Sequence, residues 1–299
     1  MALTVMQKLL DRIKAGEALV CDGAMGTLLQ EKGLQPGECP ELWCVDRPDD
    51  VRDVHRRYRE AGSDIVECNS FGGSRYKLKH FGLEERAAEI NRAAAALARE
   101  VAGETQHVMG SVGPMGTFMA PLGTQSEDDF YTAFKEQVLA LEEGGADVVI
   151  IETMTGLEEA LVALRAAREN TSLTTVVSFT FDPQMQGGYA SMMGVQPARF
   201  AVAAAEAGAD IIGTNCGTGP DDMLEIVRLL RAAVADVPIL AMPNAGMPEI
   251  VDGETVFRET PAEMAAKMQG IRKAGASIVG GCCGTTPEHI VAIKAAIGA

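Results

Sequence analysis

The feature of this sequence that most restricts its fold is a repeated alternation of short apolar runs with longer helical stretches. Eight runs rich in β-branched and apolar residues recur along the chain, at 18–26, 64–72, 107–114, 147–153, 174–182, 209–217, 238–246 and 277–284. Each run is too short for a helix and apolar on both faces, which is typical of parallel strands buried between a core and covering helices. Eight such units without a low-complexity linker predict one (β/α)8 TIM barrel over residues 1–299.

The competing fold for this pattern is an open, doubly wound sheet. In that fold a glycine-rich dinucleotide fingerprint follows the first strand. Here the first run leads into DGAMGT at 22–27, which has the wrong glycine spacing and places Asp22 where a phosphate would lie. We therefore expect the barrel, with its active site at the C-terminal ends of the strands. The longest connections, 30–50 and 114–128, are expected to form loops over its mouth.

Composition argues against several other classes of protein. Acidic residues outnumber basic ones by 42 to 26, a net charge of −16 that repels phosphate backbones and argues against nucleic-acid binding. No run reaches the ~18–20 apolar residues of a membrane helix, and residues 1–20 fit an amphipathic helix rather than a secretory signal. Seven cysteines, an odd number, then indicate a reducing, cytoplasmic compartment, where clustered cysteines more often bind metal than form disulfides.

Two adjacent cysteines at the end of the last run form the most specific motif of the chain. Cys282 and Cys283 lie in GGCCGTTPEHI at 280–290, where glycines permit the bend that turns both thiols toward one ion. A third cysteine, Cys216, ends the sixth run and by the barrel rule lies at the same end of the barrel. Three thiolates with a fourth position left for water or substrate suit catalytic zinc. The alternative is that these thiols only pack as small buried hydrophobes.

The other four cysteines are expected to have structural roles. Cys21 and Cys68 lie inside strands, where alternation points them into the core and away from the polar residues that follow each of them. Cys39 and Cys44 would form a second metal site with His55 only if a fourth ligand were present, and none is in view.

Six motifs together resemble the homocysteine S-methyltransferase family, most closely the homocysteine-binding barrel at the N-terminus of cobalamin-dependent methionine synthase. They follow the family's order and are DGAMGT at 22–27, NSFGGSRYKL at 69–78, ET at 152–153, NCGTGP at 215–220, PNAG at 243–246 and GGCCGTTPEH at 280–289. The resemblance implies a (β/α)8 barrel that transfers a methyl group to the thiol of L-homocysteine, giving methionine. It also implies one zinc ion held by Cys216, Cys282 and Cys283.

The ammonium group of an α-amino acid needs acidic partners, and two acids lie at strand ends. Asp22 follows the first run and Glu152 ends the fourth. Buried carboxylates need cationic or hydrogen-bonded partners, so with the family resemblance we interpret both as ammonium ligands. The alternative for either residue is a helix cap or a salt bridge at the barrel mouth.

Further residues are candidates for binding the carboxylate of the substrate and for supporting the metal ligands. Glycine-rich turns form anion-binding nests of backbone N–H groups, while asparagine side chains can orient ligands and substrate. The turns in Asn-Cys-Gly and Pro-Asn-Ala-Gly offer a purely structural alternative for the asparagines. The candidates are Gly23, Ala24, Asn69, Ser70, Asn215 and Asn244.

The identity of the methyl donor stays open at this point. A methyl-corrinoid (methylcobalamin) protein could dock on the barrel mouth, a small donor such as S-methylmethionine or a betaine could be used, or the chain is a truncated module. We favour the corrinoid protein because the motifs are closest to the cobalamin-type barrel. Betaine-type relatives carry a tyrosine after the phenylalanine of the second loop, whereas Gly72 follows Phe71 here, and they carry a C-terminal extension that is missing here.

Two other classes of function compete with this interpretation. A non-zinc barrel enzyme such as an aldolase would show a Schiff-base lysine, or a phosphate loop after the last two strands. The eighth run ends in GGCCG instead, and no run ends in lysine. A non-catalytic barrel would use Cys282 and Cys283 as a vicinal-thiol redox pair or as a metal-binding reserve.

Overall fold

Eight parallel strands form a nearly closed barrel, as the sequence predicts. The computed structural model describes residues 5–251 and 254–298. The barrel strands are β1 Leu19–Val20, β2 Ile65–Glu67, β3 His107–Val112, β4 Val148–Met154, β5 Thr174–Phe179, β6 Ile211–Asn215, β7 Ile239–Met242 and β8 Ala276–Val279. They pair in chain order, β8 also pairs with β1, and a parallel bridge between Cys21 and Ile65 brings β1 and β2 together.

Helices surround the barrel and, apart from α1, follow the strands in sequence. They are α1 Val5–Lys14, α2 Met25–Glu31, α3 Trp43–Asp46, α4 Pro48–Glu60, α5 Arg75–Leu78, α6 Ala87–Ala102, α7 Glu127–Glu143, α8 Leu157–Asn170, α9 Pro197–Glu206, α10 Pro220–Ala233, α11 Pro261–Lys273 and α12 Pro287–Ile297. Capping boxes start α7 at Ser126 and α11 at Thr260, since each hydroxyl accepts a backbone N–H of the first turn. None of the helices in the described ranges is long and apolar enough to cross a bilayer.

The connection predicted as a long loop over 30–50 is partly helical. It contains α3 and the start of α4, and Trp43 and Cys44 of α3 are buried. The guanidinium of Arg47 lies 3.7 Å from the centre of the Trp43 ring, which helps to hold this segment against the barrel. Short elements also occur outside the barrel, namely 3-10 turns at Lys79–Phe81 and Glu84–Arg86 and the strand pairs Asp182–Pro183 with Tyr189–Ala190 and Glu249–Val251 with Glu254–Val256.

Successive side chains along each strand point to opposite faces of the sheet, so the core has two parts. Outward side chains such as Val66 and Val149 pack against the helices, and inward ones such as Ile65 and Ile150 fill the barrel. Leu9 of α1 belongs to the inner cluster, so the N-terminal helix closes one end of the barrel with apolar contacts.

The other end of the barrel interior is polar. Beyond the inward apolar side chains, the same alternation turns a polar set toward the axis: Glu67, Ser111, Glu152, Ser178 and Asn215. All five lie at the C-terminal ends of their strands, the end at which barrel enzymes build their active sites.

Candidate active site

Three cysteines converge at the polar end of the barrel. Cys216 follows β6, while Cys282 and Cys283 follow β8, so the two loops flank β7. The Sγ atoms of Cys216 and Cys283 are 3.9 Å apart, and all three sulfur atoms lie within 4.8 Å of one another. The three residues line one cavity of about 440 Å³.

Backbone hydrogen bonds between neighbouring loops hold the cysteines in place. The Cys216 N–H donates to the Met242 carbonyl at 3.1 Å, and the Cys282 N–H donates to the Pro243 carbonyl at 2.8 Å. The Cys283 N–H donates to Asn244 Oδ1 at 3.1 Å. Cys216 itself has a left-handed backbone with φ of 59°, a conformation that costs energy for a residue with a Cβ and is often found at functional sites.

The spacing of the three sulfur atoms fits a single zinc ion. Four ligands placed tetrahedrally at a Zn–S distance of about 2.3 Å are separated by about 3.8 Å, close to the 3.9 Å between Cys216 and Cys283. Without a cation, one of the three thiols ionises readily, and its negative charge makes the ionisation of its neighbours harder. Hydrogen bonds from Cys282 and Cys283 lower the pKa of Cys216 to about 3, while those contacts raise the pKa of Cys282. A divalent cation among them would allow all three to be thiolates.

Three carboxyl groups lie at the same end of the barrel, and of these Glu67 and Glu152 line the cavity whereas Asp22 does not. Asp22 follows β1, Glu67 ends β2 and Glu152 is in β4. Asp22 Oδ2 accepts the Glu67 N–H at 2.8 Å, and Glu152 accepts the hydroxyl of Ser111. Burial raises the pKa of all three groups, that of Asp22 to about 7.

These carboxyl groups have no basic partner among the residues that the structure describes. Their neighbours are hydrogen-bond donors and other acids, and none is lysine, arginine or histidine. A buried carboxylate without a counter-ion is costly, so a cation that entered the cavity would be bound strongly. The site can therefore receive a positively charged group next to the three thiols.

Asn215 connects the acidic groups to the cysteines. Its Nδ2 donates to Glu152 Oε2 at 2.9 Å, and its Oδ1 accepts the Thr153 N–H at 2.9 Å and the Ser178 hydroxyl at 2.6 Å. With both ends of its amide bound, Asn215 has one fixed orientation and directly precedes Cys216. It thus orients the Glu152 carboxyl and anchors the strand end that carries the first thiol.

The turns expected to bind a carboxylate are at the cavity, but two of their N–H groups already have partners. Gly23, Ala24 and Ser70 all line the cavity. The Ala24 N–H donates to Thr285 Oγ1 at 3.1 Å, and the Ser70 N–H donates to the Cys68 carbonyl at 2.8 Å.

The remaining two predicted asparagines serve the surrounding loops. Asn69 lines the cavity, and its Nδ2 donates to the Pro40 carbonyl at 2.7 Å, which ties the end of β2 to the preceding connection. Asn244 accepts the Cys283 N–H, so it supports the position of a thiol rather than facing the cavity.

Sequence reasoning overlooked Glu67 and Glu41. Glu67 lies two residues beyond the inward Ile65, so strand alternation could have revealed it. Glu41 is buried, lines the cavity and accepts the Gly72 N–H at 2.7 Å. Nothing local to its position in the sequence indicates that contact, because it comes from a distant loop.

Cys21 is buried and packs in the inner barrel core with Leu19, as expected. The prediction that it points away from Asp22 was wrong, because its thiol donates to Asp22 Oδ1 at 3.4 Å. Cys39 and Cys44 belong to none of the metal-ligand clusters found among the described residues. Their thiols donate instead to Glu41 and to the carbonyl of Asn69.

Fold and site together define a (β/α)8 enzyme with three clustered thiols at its mouth. The family model of homocysteine S-methyltransferase matches residues 19–297, and the chain belongs to this family of enzymes.

Relatives and solved structures agree with this assignment. The chain is 34% identical to methionine synthase of Mycobacterium leprae (strain TN) over 297 residues, which cover 95% of this chain and 24% of that protein. It is 35% identical over 302 residues to methionine synthase of Mycobacterium tuberculosis, with coverage of 93% and 24%. The chain thus spans about a quarter of the length of these relatives. The metallated form of the homocysteine methyltransferase MmuM from Escherichia coli matches with a TM-score of 0.78 and 25% identity, over 97% of this chain and 99% of that chain.

Proposed function

We propose that this chain transfers a methyl group to the thiol of L-homocysteine, giving methionine, with one zinc ion held by Cys216, Cys282 and Cys283. The observation that carries the proposal is the convergence of these three sulfur atoms in one cavity with carboxyl groups that lack a basic partner. Homocysteine carries both a thiol and an ammonium group, which correspond to the cysteines and the carboxyl groups at this site. Membership of the homocysteine S-methyltransferase family supports the assignment.

Each group of the substrate has a place at the site. Asp22 and Glu152 bind the ammonium group, with Asn215 fixing the orientation of Glu152. The Gly23 N–H at the turn after Asp22 binds the carboxylate. When bound, zinc would keep the substrate thiol ionised at neutral pH, and three thiolate ligands would leave its sulfur electron-rich for in-line attack on a methyl carbon.

A methyl-corrinoid protein on a separate chain is the donor that we favour over a betaine. Betaine-type relatives place a tyrosine at the position of Gly72, and here that space is taken. A Cβ at Gly72 would lie 2.7 Å from Glu41 Oε1, and the Gly72 N–H binds the same oxygen. An aromatic side chain at this position would displace a buried carboxylate, so the tyrosine of betaine-type relatives has no equivalent here.

An assay of methionine formation from homocysteine tests both the reaction and the donor. The zinc-loaded chain is incubated in parallel with free methylcobalamin, S-methylmethionine and betaine. We expect turnover with methylcobalamin to exceed turnover with either small donor by about tenfold or more, a difference of roughly 1.4 kcal/mol in barrier.

Each other result of this assay has a distinct meaning. Faster turnover with S-methylmethionine or betaine would overturn the proposal of a corrinoid donor, but the proposed methyltransferase activity would still hold. No methionine from any donor, together with freely reactive thiols that a chelator does not affect and no bound zinc, would indicate a redox pair instead.

A further inference from the structure

A buried threonine joins the first loop of the barrel mouth to the last, and the proposed reaction gives it no task. Thr285 lies in the loop after β8, two residues beyond the adjacent cysteines, and is fully buried. Its hydroxyl donates to the Cys282 carbonyl at 2.7 Å and accepts the Ala24 N–H at 3.1 Å. The hydroxyl has a single proton, and the Cys282 carbonyl receives it. This side chain therefore connects the loop that carries two thiols to the turn after β1.

Two glycines allow both loops to approach the hydroxyl of Thr285 closely. A Cβ on Gly23 would lie 2.6 Å from Thr285 Oγ1, and a Cβ on Gly281 would clash with the same atom. Both glycines line the cavity, whereas Thr285 does not. Thr285 therefore contacts the wall of the cavity, and any effect on zinc or substrate must pass through the residues of that wall.

Tyr58 of α4 contacts the same two loops. Its hydroxyl is buried and lies 3.0 Å from the Ala24 carbonyl and 3.2 Å from the Thr285 carbonyl. Ala24 is thus held at its N–H by Thr285 and at its carbonyl by Tyr58. With both groups bound, the turn at Ala24 has one position relative to Cys282.

We propose that Thr285 is a positioning residue that holds the turn at Gly23 and Ala24 at a fixed distance from Cys282. The inference rests on the proposed function, in which the Gly23 N–H binds the substrate carboxylate and Cys282 binds zinc. The carboxylate and the sulfur of homocysteine are joined by a short carbon chain. Both can be bound at once only if the turn and the thiol loop keep a constant spacing, and the Thr285 hydroxyl sets that spacing.

The test compares Thr285→Val with Thr285→Ser. Valine has the shape of threonine but can neither donate to Cys282 nor accept from Ala24, whereas serine keeps the hydroxyl. Pairing of β1 with β8 and the bond from the Gly281 N–H to the Asp22 carbonyl at 3.0 Å use backbone atoms only, so we expect the barrel to close in both variants. Zinc affinity is measured by competition with a chelator, and homocysteine affinity by calorimetry of the zinc-saturated protein.

Thr285→Val is expected to bind zinc about tenfold more weakly, the scale on which groups that orient metal ligands contribute. Its homocysteine Kd is expected to rise about tenfold even at saturating zinc, because the Ala24 N–H has lost its acceptor. Thr285→Ser is expected to keep both constants within about threefold of wild type.

Thr214→Val is the matched control. Thr214 of β6 is also fully buried, but its hydroxyl has no hydrogen-bond partner among the residues that the structure describes. Both constants should stay within about twofold of wild type in this variant. A purely structural role of Thr285 would lower thermal stability and leave both affinities of the folded protein unchanged.

An unchanged zinc or homocysteine affinity in folded Thr285→Val would overturn the inference alone. If that variant does not fold, Tyr58→Phe takes its place, because it removes a hydroxyl from the same two loops. Both constants are then expected to rise about threefold, and unchanged constants would overturn the inference. A wild-type protein that fails to bind zinc or homocysteine would instead overturn the proposed function, and the inference with it.

Discussion

The Cys216→Ala protein is expected to bind no stoichiometric zinc and to lose homocysteine methylation by about 10³-fold or more, the scale seen when an activating group is removed. With two thiolates left, the site has one ligand fewer than a catalytic zinc site uses. Homocysteine would then react as an ordinary thiol, which is only a few per cent ionised at neutral pH. Cys282→Ala and Cys283→Ala are expected to behave in the same way. Metal analysis of the reduced protein and the methionine assay measure both effects.

A matched control separates loss of a metal ligand from loss of any cysteine. Cys44 is buried in the outer core, does not line the cavity and belongs to no metal-ligand cluster of the described residues. Cys44→Ala should therefore keep one zinc per chain and near-normal activity. Full zinc content and activity in any one of the three site variants, with thermal unfolding unchanged, would remove that cysteine from the ligand set.

The Glu152→Gln protein is expected to keep its zinc but to need much more homocysteine. Glu152 is buried, held by Asn215 and Ser111, and has no basic partner in the described part of the chain. Loss of one charged hydrogen bond to the ammonium group costs about 1.5–3 kcal/mol, which corresponds to a roughly 10- to 100-fold increase in KM. Asp22→Asn is expected to raise KM on the same scale.

Glu159→Gln is the control for this pair of variants. Glu159 is also a largely buried carboxylate with a raised pKa, but it accepts the Met115 N–H at 2.8 Å and does not line the cavity. Its KM should stay within about twofold of wild type, as for changes away from the binding site. Loss of zinc from Glu152→Gln would show that this carboxylate supports the metal ligands rather than the substrate.

Much of this site follows from the sequence because parallel strands end together. The eight apolar runs fix the strands, so Asp22, Glu152, Cys216 and Cys282 must gather at one end of the barrel. Glu67 lies within the second run rather than at its end, so the rule that functional residues follow the strands does not indicate it. Strand alternation alone places it in the cavity.

Other parts of the site depend on contacts that local sequence does not encode. The Cys21 thiol donates to Asp22 Oδ1, a contact that strand alternation does not predict. Glu41 reaches Gly72 from a connection whose path is set by packing of Trp43 and Cys44. Both depend on how a loop lies across the barrel mouth, and that is decided by tertiary packing.

The proposed reaction depends most on three sulfur atoms that surround one zinc ion and leave a position for the substrate. X-ray absorption at the zinc edge of the reduced, zinc-loaded protein measures this directly. The expected spectrum has three sulfur neighbours at about 2.3 Å and one oxygen or nitrogen, changing to four sulfur neighbours when homocysteine is added. Fewer than three sulfur neighbours, or a spectrum that homocysteine does not alter, would contradict the account.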